Sequence, residues 1–459
     1  MRSFILSDVH LCEAVPGDGL CLRFRQKPYF PDRDFSAMLT ALCAQYRDEP
    51  MEVVFNGDLF DFDAPVVENG VVQFQDRPRT EAVAVEMLTR ILRDHDGFVD
   101  ALGAWIASGH RVVFISGNHD AQLVFPRVRL LLTEQLLIAS RAHGLTVSDG
   151  DLSTLILFRP WYYTTSHGVH VEHGHQYDWL CSYRYPTEPF THDGISIQPN
   201  VGSLTTRYLS NYMGYFNPFI DQTISLSFWQ YIRHWLRYYF FSFQSIGLVW
   251  IRGAWKTVRY LWRFRSRKDA ERERRMLVES LRVTSCTEDD LRRHTALFEP
   301  PSESKLFGVL RELWLDRVGI VGACAGVLIG MEIGQARAFL WITTLGVLLV
   351  GLVAYELFTP KLSMREIYLR MNVSMRKIAE IYGARAVVFS HTHISSSIRE
   401  RGVFYANTGT WAAAYEDLAC TIPMTQGRPV VCLYPGEDGA LECGLSYWRQ
   451  GAFLSADVP

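Results

Sequence analysis

Five short runs of β-forming residues each end directly in a polar cluster, and this pattern constrains the fold of the chain most strongly. The runs are residues 4–7, 53–55, 112–115, 169–171 and 386–389. Helical patterns at residues 35–46 and 82–107 lie between the early runs. Strands that alternate with helices predict a layered α/β fold, in which ligands bind beyond the carboxyl ends of the strands. We therefore expect the five polar clusters to lie close together.

The composition indicates a globular chain with a sizeable core. Its 459 residues and 48% hydrophobic content allow two or three domains of ordinary size. With 46 basic and 49 acidic residues, no overall charge indicates nucleic-acid binding, and we expect no nucleic-acid partner. Nine cysteines without a C-x-x-C pair fit a reducing compartment. The first apolar run is too short for a signal peptide, so we expect the N-terminus to stay in the cytoplasm.

The polar clusters combine the side chains that bind hard divalent metal ions. They are Asp8-Val9-His10, Gly57-Asp58-Leu59-Phe60-Asp61, Gly117-Asn118-His119-Asp120, His173-Gly174-His175 and His391-Thr392-His393. Residues i and i+2 after a strand point to one side, so Asp8 with His10 can bind neighbouring ions. A carboxylate between two cations can bridge them at a separation of about 3.5 to 4 Å. We assign this bridge to Asp58.

This ordered set resembles the calcineurin-like metallophosphoesterase family. The family motifs D-x-H, G-D-x-x-D, G-N-H-D, an isolated H and G-H-x-H occur here in the same order, over residues 1–180 and 385–415. The resemblance implies hydrolysis of phosphoester or pyrophosphate bonds with two divalent metal ions, for which we favour Mn over Fe, Zn or Co. Ser390 stands where the family usually has Gly.

The resemblance also implies a role for each motif residue. One ion would take Asp8, His10, Asp58 and His393, and the other would take Asp58, Asn118, His173 and His391. His119, held by Asp120, would stabilise the transition state or protonate the leaving oxygen. Strand alternation alone could favour His170 or His175 in place of His173.

Three segments are similar to bacterial UDP-2,3-diacylglucosamine diphosphatases, which cleave a pyrophosphate in lipid A synthesis. They are residues 4–11, 57–60 and 407–411. His119 differs, because those enzymes usually have Arg at that position. The similarity favours a phosphorylated, lipid-linked or amphipathic substrate. The alternatives are a phosphodiesterase or phosphatase of soluble nucleotides and, in another class, a membrane-anchored binding protein with a vestigial site.

The middle of the chain differs in composition from both ends. Residues 1–184 and 385–459 contain the five polar clusters, whereas residues 185–384 are aromatic and basic and then strongly apolar. We therefore predict a metallophosphoesterase domain that is split by a helical, membrane-associated insertion. The sequence leaves the oligomeric state open.

Two parts of this insertion predict contact with membrane lipids. Residues 228–250 have an apolar helical stripe that fits a lipid interface or a core-facing helix, and basic residues follow it. Residues 318–333 and 338–358 are apolar segments that would form a hairpin, since both parts of the catalytic domain must lie on one side of a membrane. The flanking basic residues predict the cytoplasmic face of the inner membrane: Arg311, Arg317, Lys361 and Arg365. The alternatives are a peripheral protein and a hairpin buried as a cap or in a dimer interface.

Overall fold

The computed structural model describes most of the chain. It describes residues 1–459 except 18–21, 48, 75, 146–153, 214–235, 237–245, 265–267, 284–285, 314, 334–337, 359–363, 414, 416–420, 422–426, 437–440 and 456–459. Two stacked β-sheets form its centre, with helices on both outer faces.

The strands build a seven-stranded sheet, a five-stranded sheet and a small hairpin. In chain order they are β1 (Arg2–Leu6), β2 (Met51–Asn56), β3 (Val66–Glu68), β4 (Val71–Gln73), β5 (Arg111–Ile115), β6 (Ile156–Arg159), β7 (Tyr162–Thr164), β8 (Val169–Glu172), β9 (Ala386–Phe389), β10 (Ser396–Glu400), β11 (Val403–Asn407), β12 (Arg428–Pro435), β13 (Leu441–Arg449) and β14 (Ala452–Ser455). The seven-stranded sheet has the order β14-β13-β12-β1-β2-β5-β6, and the five-stranded sheet has the order β10-β11-β9-β8-β7. Strands β1, β2, β5 and β6 run parallel, as do β8 and β9.

The helices cover the sheets and form most of the middle of the chain. In chain order they are α1 (Asp32–Gln45), α2 (Glu81–Asp94), α3 (Asp96–Ala107), α4 (Pro126–Ala142), α5 (Val201–Thr205), α6 (Ile246–Arg263), α7 (Ala270–Val283), α8 (Glu288–Thr295), α9 (Leu306–Glu312), α10 (Leu315–Ile333), α11 (Ala338–Phe358) and α12 (Met364–Tyr382). A π-helical turn, Thr206–Ser210, continues α5.

The side chains of the central strands alternate between two apolar layers. Ile5 and Val54 pack with Val388 between the two sheets. Phe55 and Phe114 face the other way and pack beneath α1 to α4. Because consecutive strand residues point to opposite faces, strands that are apolar throughout are buried on both sides. The predicted layered α/β fold is confirmed.

Residues 82–107 form two helices rather than the single helix that their pattern predicts. The chain turns at His95, whose backbone lies outside the helical region at φ −119° and ψ 42°. The imidazole is fully buried, with Nδ1 at 2.9 Å from the Asp32 carboxylate and Nε2 at 3.0 Å from the Cys12 carbonyl oxygen. These two buried contacts hold the turn and let α3 pack on both α1 and α4.

Both predicted apolar segments of the insertion are helical, as α10 and α11. No described residue of α10 is buried in this single chain. Tyr355 of α11 donates a hydrogen bond to Asp316 of α10. Within the described ranges, no single helix has the length and apolar character to cross a membrane. Helices α9 and α10 have the required length and apolar character only when they are taken together, and their axes are bent by 74° where they meet.

Most of the predicted stripe at residues 228–250 lies outside the described residues. Of this stretch the structure describes Leu236 and residues 246–250, which begin α6.

Candidate metal centre

The loops that follow β1 and β2 pair with each other beyond the strand ends. The backbone N–H of Asp8 donates to the carbonyl of Gly57 at 3.1 Å, and that of His10 donates to the carbonyl of Asp58 at 3.0 Å. Since the carboxyl ends of parallel strands meet at one edge of a sheet, the motif side chains of these loops converge. The second sheet adds His173 after β8 and the histidines after β9 at the same edge.

The backbone at this edge is unusually strained. Nine described residues other than glycine have a positive φ, and five of them are predicted metal ligands. These five are Asp8, His10, Asp58, His391 and His393, with φ between 50° and 71°. Non-glycine residues rarely adopt this left-handed conformation, and such strain is concentrated at functional sites.

The first group of predicted ligands contains residues from both ends of the sequence. The ligand atoms of Asp8, His10 and His393 lie within 4.8 Å of one another. Asp8 Oδ1 is 3.1 Å from His393 Nε2 and 3.9 Å from His10 Nε2. Asp8 and His10 are buried, whereas His393 is partly exposed. One carboxylate oxygen facing two imidazole nitrogens matches the ligand set predicted for one metal ion.

The second group is centred on Asp58 and His173. Asp58 Oδ2 lies 3.3 Å from His173 Nε2, which is also 3.3 Å from Asn118 Oδ1. The ligand atoms of Asp8, Asp58 and His173 lie within 4.8 Å of one another, so Asp8 belongs to both groups. The structure therefore brings the two groups together, while the assignment of the metal bridge to Asp58 remains a prediction.

His391 faces an acidic residue that was not among the predicted ligands. Its Nε2 lies 3.1 Å from Asp178 Oδ2, and its ring centroid is 5.3 Å from that of His173. Asp178 follows His173 by five residues and is buried. The sequence signal for Asp178 is weak, because a single Asp in a loop is more often a turn residue.

The comparisons with known proteins agree with this geometry. Residues 1–217 match the model of the calcineurin-like phosphoesterase family. This part of the chain is similar to that family. The match supports a phosphoester hydrolase activity that depends on divalent metal ions. The matched region runs past residue 184, the predicted end of the first domain part, and includes the loops of Asp8, Asp58, Asn118 and His173. A comparison with curated proteins gives no match.

His119 is held by other carboxylates than predicted. Its Nδ1 lies 3.3 Å from Asp61 Oδ1 and 3.5 Å from Asp63 Oδ2. The Asp120 carboxylate instead accepts backbone hydrogen bonds from Gly117 at 2.6 Å and from Leu59 at 2.8 Å. The predicted pairing of His119 with Asp120 is therefore wrong, and Asp120 fixes the loop. A short acidic side chain that accepts hydrogen bonds from neighbouring backbone N–H groups is typical of such turns.

The two carboxylates beside His119 are in turn neutralised by buried arginines. Arg25 donates to Asp61 at 2.9 Å, and Arg79 donates to Asp63 at 3.1 Å. Asp63 also accepts a hydrogen bond from Ser203 of α5, which belongs to the predicted insertion. Sequence reasoning missed this network, because no spacing rule links these residues.

Charge and burial determine the protonation preferences of the histidines. Burial and the neighbouring His119 lower the pKa of His10 to about 3, which favours the neutral imidazole that binds metal ions. Burial also lowers the pKa of His119, but Asp58, Asp61 and Asp63 outweigh it and raise this pKa to about 10. His119 therefore sits in surroundings that favour its protonated form.

The residues present fit a pair of hard divalent cations. Buried carboxylates face imidazole and amide ligands, a donor set that Mn, Fe, Zn and Co accept. Gly57 and Gly117 leave the space that these ligands need, because a side chain at Gly57 would overlap the His173 ring and one at Gly117 would overlap the Asp58 carboxylate. His173 lies in this donor set. His170 instead contacts Glu172 at 3.1 Å, away from the set.

Outer hydrogen bonds orient the predicted ligands. Ser390 Oγ lies 2.8 Å from His173 Nδ1, which is also 2.8 Å from the carbonyl oxygen of Asn56. Thr410 Oγ1 donates to the carbonyl of Asp8 at 2.8 Å. Such contacts fix the tautomer and the direction of a ligand. Ser390 thus has a specific contact at the position where the family usually has Gly.

Proposed function

We propose that this protein is a dinuclear metal-dependent hydrolase of phosphoester or pyrophosphate bonds that acts on a phosphorylated, amphipathic or lipid-linked substrate at a membrane. The observation that supports the dinuclear site best is the convergence of two adjacent ligand groups that share Asp8. Ions held in adjacent groups would lie close enough to act on the same phosphoryl group.

The proposed ligands are those implied by the motifs. One ion would be held by Asp8, His10, Asp58 and His393, and the other by Asp58, Asn118, His173 and His391. Divalent ions supply Lewis acidity towards a phosphoryl oxygen and lower the pKa of a bound water nucleophile. We propose Mn as the metal in the cell, with Fe, Zn or Co able to replace it.

Asp178 and Ser390 would position two of these ligands. Asp178 lies against Nε2 of His391, so His391 would face an ion through Nδ1. Ser390 and the Asn56 carbonyl hold Nδ1 of His173, so His173 would use Nε2. A hydrogen-bond partner on the nitrogen that does not bind the ion raises the basicity of an imidazole ligand and fixes its orientation.

His119 is proposed as the residue that stabilises the transition state or protonates the leaving oxygen. Its ring is 5.0 Å from that of His10, so it lies beside the metal ligands. Asp61 and Asp63 hold Nδ1, which directs Nε2 away from them. A positioned imidazolium near a leaving oxygen typically contributes about 10²- to 10⁴-fold in rate.

The membrane part of the proposal rests on the middle of the chain. We propose that residues 185–384 are an insertion into a metallophosphoesterase domain formed by residues 1–184 and 385–459. Its helices α10 and α11 expose many large apolar side chains, such as Ile342 at 71% and Leu357 at 75%. Contiguous exposed apolar surface of this kind indicates a lipid or protein contact. We place the protein at the cytoplasmic face of the inner membrane, as an integral hairpin or a peripheral protein.

The substrate class is tested by activity measurements on purified, metal-loaded protein in detergent. We expect kcat/KM to be higher for a lipid-linked pyrophosphate than for a soluble nucleotide diester with a similar leaving group. A higher kcat/KM for the nucleotide would favour the soluble nucleotide phosphodiesterase instead. Absence of turnover on both, and on a chromogenic diester, with full metal content would favour the binding protein with a vestigial site.

A further inference from the structure

Helix α6 presents aromatic and basic side chains to solvent along one side. Ile251, Trp255 and Trp262 are 51%, 66% and 73% exposed. Among the α6 residues whose side chains the structure describes, seven are exposed and form what we call the α6 face: Ile251, Arg252, Trp255, Lys256, Arg259, Trp262 and Arg263. The helix contains no Asp or Glu. A cationic surface with two exposed tryptophans is costly to leave in water, so a partner is expected.

The opposite side of α6 is packed firmly, which fixes the direction of the exposed side. Ala254, Thr257 and Leu261 are fully buried. Ala254 and Leu261 pack in a cluster with Tyr208 and Val309. The exposure of the tryptophans therefore follows from a defined packing arrangement.

Helix α6 lies next to the start of the apolar hairpin. Helix α6 packs against α9, and α9 joins α10 at an angle of 74°. If α10 stood along a bilayer normal, α9 would lie close to the membrane plane and α6 would lie beside it. Phe307 of α9 is 87% exposed, which adds apolar surface in the same region.

We propose that the α6 face docks on an anionic phospholipid surface. This inference deepens the membrane action proposed above and rests on it. Tryptophan side chains prefer the headgroup level of a bilayer, and basic residues there are attracted to anionic lipids. The four cations are spaced at i, i+4, i+7 and i+11, so they follow one line along the helix. A line of charges fits an extended anionic surface better than a single bound phosphate.

The test uses the full-length protein bound to vesicles with brominated acyl chains, because bromine quenches tryptophan fluorescence at short range. The vesicles contain either phosphatidylcholine alone or phosphatidylcholine with phosphatidylglycerol. One variant is Trp255→Phe/Trp262→Phe, and a second is Arg252→Glu/Arg259→Glu. Trp341→Phe in α11 is the matched control, since Trp341 reports on the hairpin.

We expect quenching that depends on phosphatidylglycerol and falls with added salt. The double Phe variant should lose this component, and Trp341→Phe should keep it. Each cation near an anionic surface is worth about fivefold in binding, so the double Glu variant should weaken the phosphatidylglycerol-dependent component about 30-fold or more. Hydrolysis of a small soluble diester in detergent should equal that of the wild type in both α6 variants.

Two results would overturn the docking of the α6 face. One is equal quenching of the wild type and the double Phe variant. The other is quenching that is insensitive to phosphatidylglycerol and to the double Glu change. If quenching then disappears only in Trp341→Phe, the hairpin still contacts lipid and the proposed membrane action stands. If no variant and no lipid shows quenching, the membrane action itself fails, while the hydrolase assignment is unaffected.

Discussion

Asp58 and His119 lie next to each other, but we expect their replacement to have different effects on metal binding and turnover. Asp58 is proposed to hold both ions, and its Oδ1 also accepts the backbone N–H of His119 at 2.7 Å. We expect Asp58→Ala to lose metal and turnover together, and His119→Ala to keep its metal while kcat falls about 10²- to 10⁴-fold. Elemental analysis combined with steady-state kinetics separates the two outcomes. Loss of metal in His119→Ala would refute the role given to this residue.

The outer contacts of His173 and His391 give a second prediction at the residue scale. Asp178→Asn should weaken metal binding about 10- to 100-fold, because the carboxylate no longer supports His391. Ser390→Ala should act at the lower end of that range, about 10-fold, since the Asn56 carbonyl also holds Nδ1 of His173. Metal titrations of the apoprotein measure both effects. Equal affinity in Asp178→Asn and the wild type would show that this contact does not position the ligand.

At the scale of elements, α8 is joined to the catalytic sheet by a buried hydrogen-bonded histidine. His294 of α8 is fully buried, with Nε2 at 2.7 Å from Tyr177 Oη and Nδ1 at 2.9 Å from Tyr382 Oη. Its Nε2 also lies 3.1 Å from Glu172, at the end of β8. The predicted insertion is therefore packed against the residue that precedes the predicted ligand His173.

Replacing His294 should destabilise this junction. We expect His294→Ala to lower the free energy of unfolding by about 2 to 4 kcal/mol, since it leaves a cavity and removes a partner from buried polar groups. His143→Ala is the control, because the His143 side chain is 36% exposed and its imidazole is hydrogen-bonded to the surface residue Asp100. Thermal unfolding of both variants measures the difference. Equal shifts in Tm would argue against a structural role for the buried junction.

The apolar hairpin gives the other prediction at this scale. Replacing residues 318–358 by a short flexible linker should preserve hydrolysis of a small chromogenic diester, because no proposed ligand is removed. Turnover of an amphipathic substrate should fall, and release from membranes should be partial because α6 remains. Carbonate extraction of the intact protein from native membranes is the decisive measurement. An integral hairpin stays in the pellet. Complete release would favour a peripheral protein whose hairpin is buried as a cap or in a dimer interface, and the lipid-linked substrate would lose its main support.

At the scale of the whole molecule, the metal centre needs both ends of the chain. Asp8 follows the first strand, and His393 lies beyond the insertion, yet their ligand atoms are 3.1 Å apart. We expect two ions per folded chain, since buried carboxylates without cations would be costly. Elemental analysis after reconstitution with Mn or Zn measures the number. Fewer than about one ion per chain would exclude the dinuclear site.

The fold class and the set of residues that meet at the strand ends could both be predicted from the sequence. Runs of β-forming residues that alternate with helical patterns predict the buried strands. The order of the motifs identifies His173 and His393 as ligands of one site, although they lie far apart in the chain. These features are local or repeated in the family, so they can be read without coordinates.

The carboxylates that support the site could be identified only from the three-dimensional packing of the chain. Asp61 and Asp63 hold His119, Asp120 fixes a loop, and Asp178 faces His391. The helix break at His95 and the exposure of the Trp262 side chain were also found only in the structure. Each of these depends on partners that are far away in sequence. Spacing along a chain gives the residues that one strand or helix brings to a face, whereas the distance between two elements is set by how the whole core packs.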